Sequence, residues 1–324
     1  MTAAGSIEAR LYDARGEDRP VDLLRDPPGR LRDHQLLWVD VAGRDPATLR
    51  TIAGPLGLAP STVKALGRAG DRPLLRRHDD YIHAGFRSAE AAADGSLEIV
   101  PLDLVAAPNV VLTVRDGPVA AFDRFRDEID GMTQVGRLDT ATFTSALVDA
   151  ILNGYLALVE DLERRIDELD DAALHARRPT GVLEELAALR GRIAALRRAL
   201  APHRQAFAAL ARPDVALHEA LGRPWPGLLD RLDTTLGAIE TARELLLGTY
   251  DLLMTRVAQR TDETVKVLTV VSVALMPAAL ISSVLGMNFA LPFFDDPANF
   301  WVSLGGMAAL IAGTVAVVAI RDRG

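Results

Sequence analysis

The chain has 324 residues, no cysteine and a net charge of −8, from 36 basic and 44 acidic side chains. The absence of cysteine excludes disulfides, thiolate metal sites and cysteine nucleophiles within this sequence. The acidic balance disfavours nucleic acid as a partner and favours cations. The sequence also contains no glycine-rich phosphate loop, no metal-protease helix and no nucleophile motif, so we do not expect an enzyme.

The N-terminal part of the chain has the pattern of an α/β domain. Its first thirty residues are polar, which predicts no cleavable signal peptide and a cytoplasmic N-terminus. Apolar runs predict strands at residues 36–41, 80–88, 96–108 and 109–117. Helices are expected from Asp45 to Ala53 and from Pro60 to Leu66, each opened by a cap within DPATL or APSTV. We therefore expect residues 1–138 to form a cytoplasmic sheet with helices on its faces.

A helical hairpin is predicted next. Residues 139–226 have a helical apolar period that is broken at 175–181, so two arms are expected. The first arm has seven acids between Glu160 and Asp171. The second arm has four arginines, at Arg190, Arg192, Arg197 and Arg198. We interpret these charges as solvated faces with a few ion pairs between the arms, and a weak cation-collecting role is the alternative.

A long stalk helix is predicted to follow the hairpin. A helix from Leu228 to Leu285 would be about 87 Å long, which is too long for a compact domain. We expect residues 227–266 to form a stalk that continues into the bilayer. Spacings of four and three predict a coiled-coil-like seam for contact with identical copies. The seam comprises Leu232, Leu236, Ile239, Leu246, Tyr250, Leu253 and Val257.

Two segments near the C-terminus are long and apolar enough to cross a membrane. Residues 267–285 and 300–320 contain nineteen and twenty-one residues without a charge, and a buried soluble helix is the alternative interpretation. The loop at 286–299 holds no Lys or Arg, whereas basic residues precede the first span and lie in the tail at 321–324. The positive-inside rule therefore places both termini in the cytoplasm and the loop outside.

Most of the polarity of the first span lies on one stripe of the helix. At about 100° per residue, an arc narrower than 90° collects the candidate pore-lining residues. They are Asp262, Val265, Thr269, Ser272, Met276 and Ser283. The alternative is that the Ser and Thr hydroxyls bond back to their own helix or pack against small residues.

The sequence Gly286, Met287, Asn288 directly follows this span. As a bare pattern it is typical of a helix terminator and a turn, but its position is where a channel would place a selectivity element. In the loop beyond it, Asp295 and Asp296 would raise the local concentration of cations, or would serve only as caps and turns.

The segment KVLTVVSVALMPAALISSVLGMNF, followed by a short acidic loop and a second span, resembles the CorA family of divalent metal transporters. RELLLGTYDLLMTRVAQRTDETVKVLT, residues 243–269, is similar to the stalk of that family. RPLLRRHDDY, residues 72–81, is similar to a stretch of its cytoplasmic sheet. The order of the elements agrees with the family over nearly the whole chain.

The resemblance implies a homopentameric funnel in the plasma (inner) membrane, surrounded by lipid, whose first spans line a central pore. It would carry Mg2+, and also Co2+ or Ni2+, under control of cytoplasmic metal. Gly286, Met287 and Asn288 would form the selectivity filter. Leu268 and Met276 match positions of hydrophobic constrictions.

Several positions depart from the family pattern. Leu285 stands where Tyr is common, and Ala279 where a pore Thr is often found. Gly227 occupies the stalk position that is acidic in members that sense metal, so the nearby Asp230, Asp79 and Asp80 are our candidate ligands for regulatory Mg2+.

Two other functions compete with magnesium transport. A Zn2+ transporter of the ZntB branch, driven by a proton gradient, shares the architecture, but Met287 favours the magnesium and cobalt side. The six histidines show no paired helical spacing, so no zinc site is visible in the sequence. A more distant alternative is a non-conducting, membrane-tethered sensor or scaffold.

Overall fold

The computed structural model describes residues 6–70, 73–92, 95–129, 140–175, 180–210, 226–287 and 298–321. The chain divides into two compact units. Unit 1 comprises Met1–Ala172 and Thr180–Tyr250, and unit 2 comprises Ala173–Pro179 and Asp251–Gly324.

The described strands all belong to unit 1. They are β1 (Ser6–Asp13), β2 (Arg19–Pro20), β3 (Gln35–Ala42), β4 (Leu74–Arg77), β5 (Ile82–Ala91), β6 (Leu97–Ala107) and β7 (Val110–Arg115). They form one sheet in the order β2-β1-β3-β7-β6-β5-β4. Only β3 and β7 pair in parallel, and the other neighbours are antiparallel.

The described helices share the remaining chain. They are α1 (Pro46–Ala53), α2 (Pro60–Leu66), α3 (Ala120–Ile129), α4 (Thr140–His175), α5 (Thr180–Leu200), α6 (His203–Leu210), α7 (Pro226–Leu285) and α8 (Ala298–Arg321). The two long helices of the predicted hairpin and the long helix predicted from Leu228 to Leu285 are confirmed.

The interior strand β3 separates the core of unit 1 into two layers. Because side chains alternate along a strand, Leu37, Val39 and Val41 face one side of the sheet. There they join a buried cluster with Leu49 and Ile52 of α1. The expected arrangement of helices on both faces of a sheet is confirmed, since α3 and α4 cover the opposite side.

That opposite layer is aromatic. The ring of Trp38 meets the rings of Phe122, Phe125 and Phe143 at centroid distances of 5.9, 6.0 and 5.7 Å. The indole N–H of Trp38 donates to the hydroxyl of Thr113 at 3.2 Å, so the polar atom of the buried ring has a partner.

Only one of the two predicted helix caps is made. The Asp45 carboxylate accepts from the backbone N–H of Thr48 at 2.8 Å, and this hydrogen bond lowers the pKa of Asp45. The prediction of a cap within APSTV was wrong, because the N-cap residue is Ala59 and its side chain cannot accept a hydrogen bond. Its backbone N–H donates instead to the Tyr81 hydroxyl at 3.0 Å.

Much of the predicted seam of α7 is covered within the subunit and not by identical copies. Leu232, Ile239, Leu246 and Leu253 are already buried in the single chain, whereas Tyr250 is 44% exposed. The second column of the buried stripe is offset by one residue and consists of Leu228, Thr235, Ala242 and Thr249. Thr235 and Thr249 are tolerated there because their hydroxyls donate to carbonyls of their own helix.

Three described helices are long and apolar enough to cross a membrane, by length and composition: α4, α7 and α8. In α4, 44% of the most apolar window is buried inside the protein, because residues such as Phe143 and Tyr155 pack in the core of unit 1. The corresponding values are 6% for α7 and 0% for α8. The apolar surface of these two helices therefore still needs a partner or a lipid environment.

Candidate ion pathway

The candidate pore-lining residues all lie on the C-terminal part of α7 and are exposed in the single chain. Val265 and Met276 are 55% and 72% exposed, and Leu268 is 65% exposed. Asp262, Thr269, Ser272 and Ser283 belong to the same exposed class. The arc therefore consists of surface that the single subunit leaves uncovered.

Two hydroxyls on the arc bond to their own helix. The Thr269 hydroxyl donates to the Val265 carbonyl and the Ser272 hydroxyl donates to the Leu268 carbonyl, each at 2.8 Å. This is the back-bonding arrangement that the sequence left open as the alternative. It satisfies the hydroxyl hydrogens and leaves lone pairs on the oxygens available to a further donor such as a hydrated ion.

A second stripe of α7 is less exposed than the arc. Ala274 is 5% exposed, and Val270, Pro277, Ala278 and Ile281 are half-buried. At 100° per residue this stripe lies roughly on the opposite side of the helix from the polar arc. In unit 2, therefore, packing within the subunit uses the apolar side of α7 and leaves the polar side free.

Glycine at position 286 fits the end of α7. The backbone N–H of Gly286 donates to the Ser282 carbonyl at 2.9 Å, and that of Met287 donates to the Val284 carbonyl at 3.2 Å. A Cβ at position 286 would stand 3.3 Å from the Ser282 carbonyl oxygen, which is a tight contact. Met287 is 51% exposed. Asn288, Asp295 and Asp296 lie outside the described residues.

The three candidate regulatory aspartates are exposed in unit 1. Asp79 and Asp80 precede β5, and Asp230 lies in the first turns of α7. Within the described ranges, no group of three or more His, Asp or Glu side chains is arranged to hold a metal ion. A metal bound by these carboxylates would therefore need further ligands, such as water or a second subunit.

Three ion pairs fix the start of α7 within unit 1. Arg231 of α7 pairs with Asp149 of α4 at 2.7 Å. On the opposite side of the helix from Arg231, Asp233 and Glu240 pair with arginines of α6 and α5 at 3.0 and 2.5 Å. These side chains are 35–65% exposed, so each pair contributes less than about 1 kcal/mol, but together they define the orientation of the helix.

The buried His203 at the start of α6 was not identified from the sequence. Its Nε2 accepts from the backbone N–H of Arg87 on β5, and its Nδ1 lies 3.1 Å from the Leu200 carbonyl. This geometry requires the neutral ring with the proton on Nδ1. The ring also stacks on Phe86 at 5.9 Å. Burial lowers the pKa of His203 to about 4.

A family model described as the CorA-like Mg2+ transporter protein matches residues 33–321. The chain belongs to the CorA family. Members of this family are channel-like transporters of divalent cations and not enzymes, so transport of divalent cations and the absence of enzymatic function are established at that level.

Similar proteins in the CorA family carry names with different ions. The cobalt/magnesium transport protein CorA of Thermotoga maritima is 24% identical over 78% of this chain and 73% of its own. The zinc transport protein ZntB of Photorhabdus laumondii is also 24% identical, over 98% of this chain and 95% of its own. These identities leave the transported ion open.

The fold of the whole chain matches that of a solved transporter. The complete structure of the CorA magnesium transporter from Methanocaldococcus jannaschii has a TM-score of 0.76 and 19% identity, over 95% of this chain and 96% of that one. The α/β domain, the long helices and the two C-terminal apolar helices thus form a CorA-type subunit.

Proposed function

We propose that this chain transports Mg2+ across the plasma membrane through the central pore of a homopentamer, with both termini in the cytoplasm. The observation that carries the proposal is the exposed polar arc of α7, which lies opposite the partly buried stripe. Polar groups in a bilayer are costly unless they face water or a bundle interior. If several copies of α7 are arranged around an axis, this arc lines a water-filled space between them.

The proposed filter is the ring of Asn288 side chains, one from each subunit, at the outer mouth. Mg2+ gives up its inner water molecules reluctantly, so neutral amide oxygens suit it by accepting hydrogen bonds from the hydrated ion. Fixed carboxylates at the same place would hold the ion harder and slow its release. Gly286 and Met287 would bring the amide to this position directly after the last turn of α7.

The inner part of the proposed pore is apolar. Leu268 and Met276 are more than 60% exposed in the subunit, as rings of side chains around an axis would require. Such rings gate by losing water when the pore narrows. We assign regulation to cytoplasmic Mg2+ bound by Asp230, Asp79 and Asp80, which are exposed and available in unit 1. Asp295 and Asp296 would concentrate cations outside.

The Asn288→Ala variant tests the filter. In proteoliposomes containing a Mg2+ indicator, we expect Mg2+ uptake to be lost while the assembled oligomer remains, because the substitution removes only the amide. The matched control is Asn299→Ala, an asparagine at the start of α8, which should keep the wild-type flux. Wild-type Mg2+ flux through the Asn288→Ala variant would contradict the proposed pore with Asn288 at its filter.

Zinc transport of the ZntB type is the second candidate, because relatives with that name cover nearly the whole chain. The two candidates differ in ion and in driving force. Flux of Mg2+, Co2+, Ni2+ and Zn2+ should be compared under an imposed membrane potential and under an imposed proton gradient. We expect Mg2+ flux that follows the potential, and Zn2+ flux that follows protons would favour the ZntB type.

A further inference from the structure

A groove on unit 1 lies between helices α1 and α2. Its volume is about 530 Å³, within the range that binds a compact ligand or a docked side-chain cluster. Its apolar wall is formed by Pro46, Ala53, Leu58, Pro60 and Val63. Leu58 and Val63 are half-buried against the core cluster beneath, so the groove is a firm part of the fold.

The charged residues that line this groove are all basic: Arg50, Lys64 and Arg68. Lys64 and Arg68 are exposed and make no hydrogen bond or ion pair with side chains of the described chain. Within the described residues, Arg50 donates to the Pro46 carbonyl of its own helix and also attracts the Asp45 carboxylate. The nearby carboxylate of Asp45 is engaged at the N-terminus of α1. Because the ionised Asp45 carboxylate offsets the charge of Arg50, the groove has a local excess of two positive charges, those of Lys64 and Arg68, on a chain with a net charge of −8.

An acidic surface, opposite in charge to the groove, lies on α4. Glu160, Glu163 and Asp167 are spaced by three and four residues and so lie on one side of the helix. Across the described ranges, none of these three carboxylates has a basic partner. Neighbouring acids are already engaged, since Asp161 pairs with Arg164 and Glu168 pairs with Arg165. We call Glu160, Glu163 and Asp167 the α4 acidic face.

We propose that the groove between α1 and α2 docks the α4 acidic face of a second copy of this chain. The proposal rests on the homo-oligomer put forward above and names a contact that holds it together in unit 1. Unpaired charges of opposite sign on one chain guide and orient the encounter of two copies. Because groove and face are different surfaces, the contact is heterologous, and repeated contacts of this type form a ring when the rotation between neighbouring copies closes, as the proposed oligomer requires.

Charge reversal tests the contact in the full-length protein. Lys64→Glu with Arg68→Glu places two acids in the groove, and Glu163→Lys with Asp167→Lys places two bases on the α4 acidic face. Native mass spectrometry at rising detergent concentration reports the assembled fraction. We expect either pair alone to lower this fraction by about tenfold, because like charges then face each other. All four substitutions together should restore it.

The matched control is Arg25→Glu, whose side chain is 90% exposed and outside the groove, and it should assemble like the wild type. Assembly of Lys64→Glu with Arg68→Glu at the wild-type level would overturn the proposal, as would a combined variant that does not recover. A monomeric wild type would overturn both this contact and the proposed pore. An assembled wild type that is insensitive to charge reversal would overturn only the contact.

A second measurement does not depend on charge reversal. Because the chain has no cysteine, Lys64→Cys and Asp167→Cys together introduce the only two thiols. A short bifunctional maleimide should then link subunits into dimers and larger species on a denaturing gel. Arg25→Cys with Asp167→Cys is the control pair and should give no ladder. The absence of links from the first pair would contradict the proposed contact.

Discussion

At the scale of single residues, His203 connects the sheet to the helices that support α7. It bonds to Arg87 on β5, and the adjacent Arg204 pairs with Asp233 on α7 at 3.0 Å. Two consecutive residues at the start of α6 thus join β5 to α7. A protonated ring would direct an N–H group at the backbone N–H of Arg87, so this arrangement holds only for the neutral form.

Acid should therefore destabilise unit 1. An unfolded histidine binds a proton as pH falls through 6.5, whereas the folded His203 does so only near 4, so stability is present above 6.5 and declines below it. At pH 5 the loss from this group amounts to about 2 kcal/mol relative to pH 7. Unfolding temperature measured from pH 7 to pH 5 should fall less steeply for His203→Gln than for the wild type. Parallel slopes would contradict this assignment.

The role of His203 was not predictable from the sequence. Its partner Arg87 is 116 residues away, and no local spacing of the histidines marks the contact. The cap at Asp45 was predictable because the acceptor and the helix it serves are adjacent in the chain. The Asp45 cap could therefore be predicted from the sequence, whereas the contact between His203 and Arg87 could be recognised only in the folded structure.

At the scale of elements, α7 shows how a helical period can mislead by one residue. The predicted second column, which includes Leu236 and Tyr250, was selected because those residues are large and apolar. The structure instead buries Thr235 and Ala242, small residues that allow close approach and that a search for apolar spacing overlooks. Of the predicted column, Tyr250 is 44% exposed and Leu236 is half-buried; Leu247, which was not part of the seam, is 47% exposed.

This register predicts different effects for two leucines of α7. Leu232→Ala removes a side chain with no exposed area and should lower the free energy of unfolding by about 2–5 kcal/mol. Leu247→Ala should cost less than about 1 kcal/mol in the dissociated subunit, because half of the side chain is already in solvent. Chemical unfolding of the detergent-dissociated protein measures both. Equal losses would contradict the assigned register.

The strands show the same limit on sequence prediction. The runs that became β3, β5, β6 and β7 were predictable because they are dense in apolar residues. No strand was predicted at β1, where Ile7, Ala9 and Leu11 face the core between charged residues. The helix α3 was also missed, although Phe122, Phe125 and Ile129 have helical spacing. Short elements with mixed polarity acquire their structure from the sheet or helix that they contact.

At the scale of the whole molecule, the chain is a CorA-family transporter subunit with apolar surface left uncovered on α7 and α8. The family was predictable because Gly286, Met287 and Asn288 follow the first of two C-terminal spans. The transported ion was not, because 24% identity is found to proteins named for magnesium and for zinc alike. The proposed transport depends on the polar arc of α7 facing water in an assembled pore.

Cysteine accessibility tests that dependence most directly, since the chain contains no cysteine of its own. Thr269→Cys, Ser272→Cys and Met276→Cys should each react with a charged, membrane-impermeant thiol reagent, and the reaction should block cation flux in proteoliposomes. Val271→Cys is the matched control, because Val271 is 47% exposed but lies away from the arc. Modification and block confined to the arc is the predicted result. Equal reaction at Val271, or an arc that never reacts, would contradict a pore lined by α7.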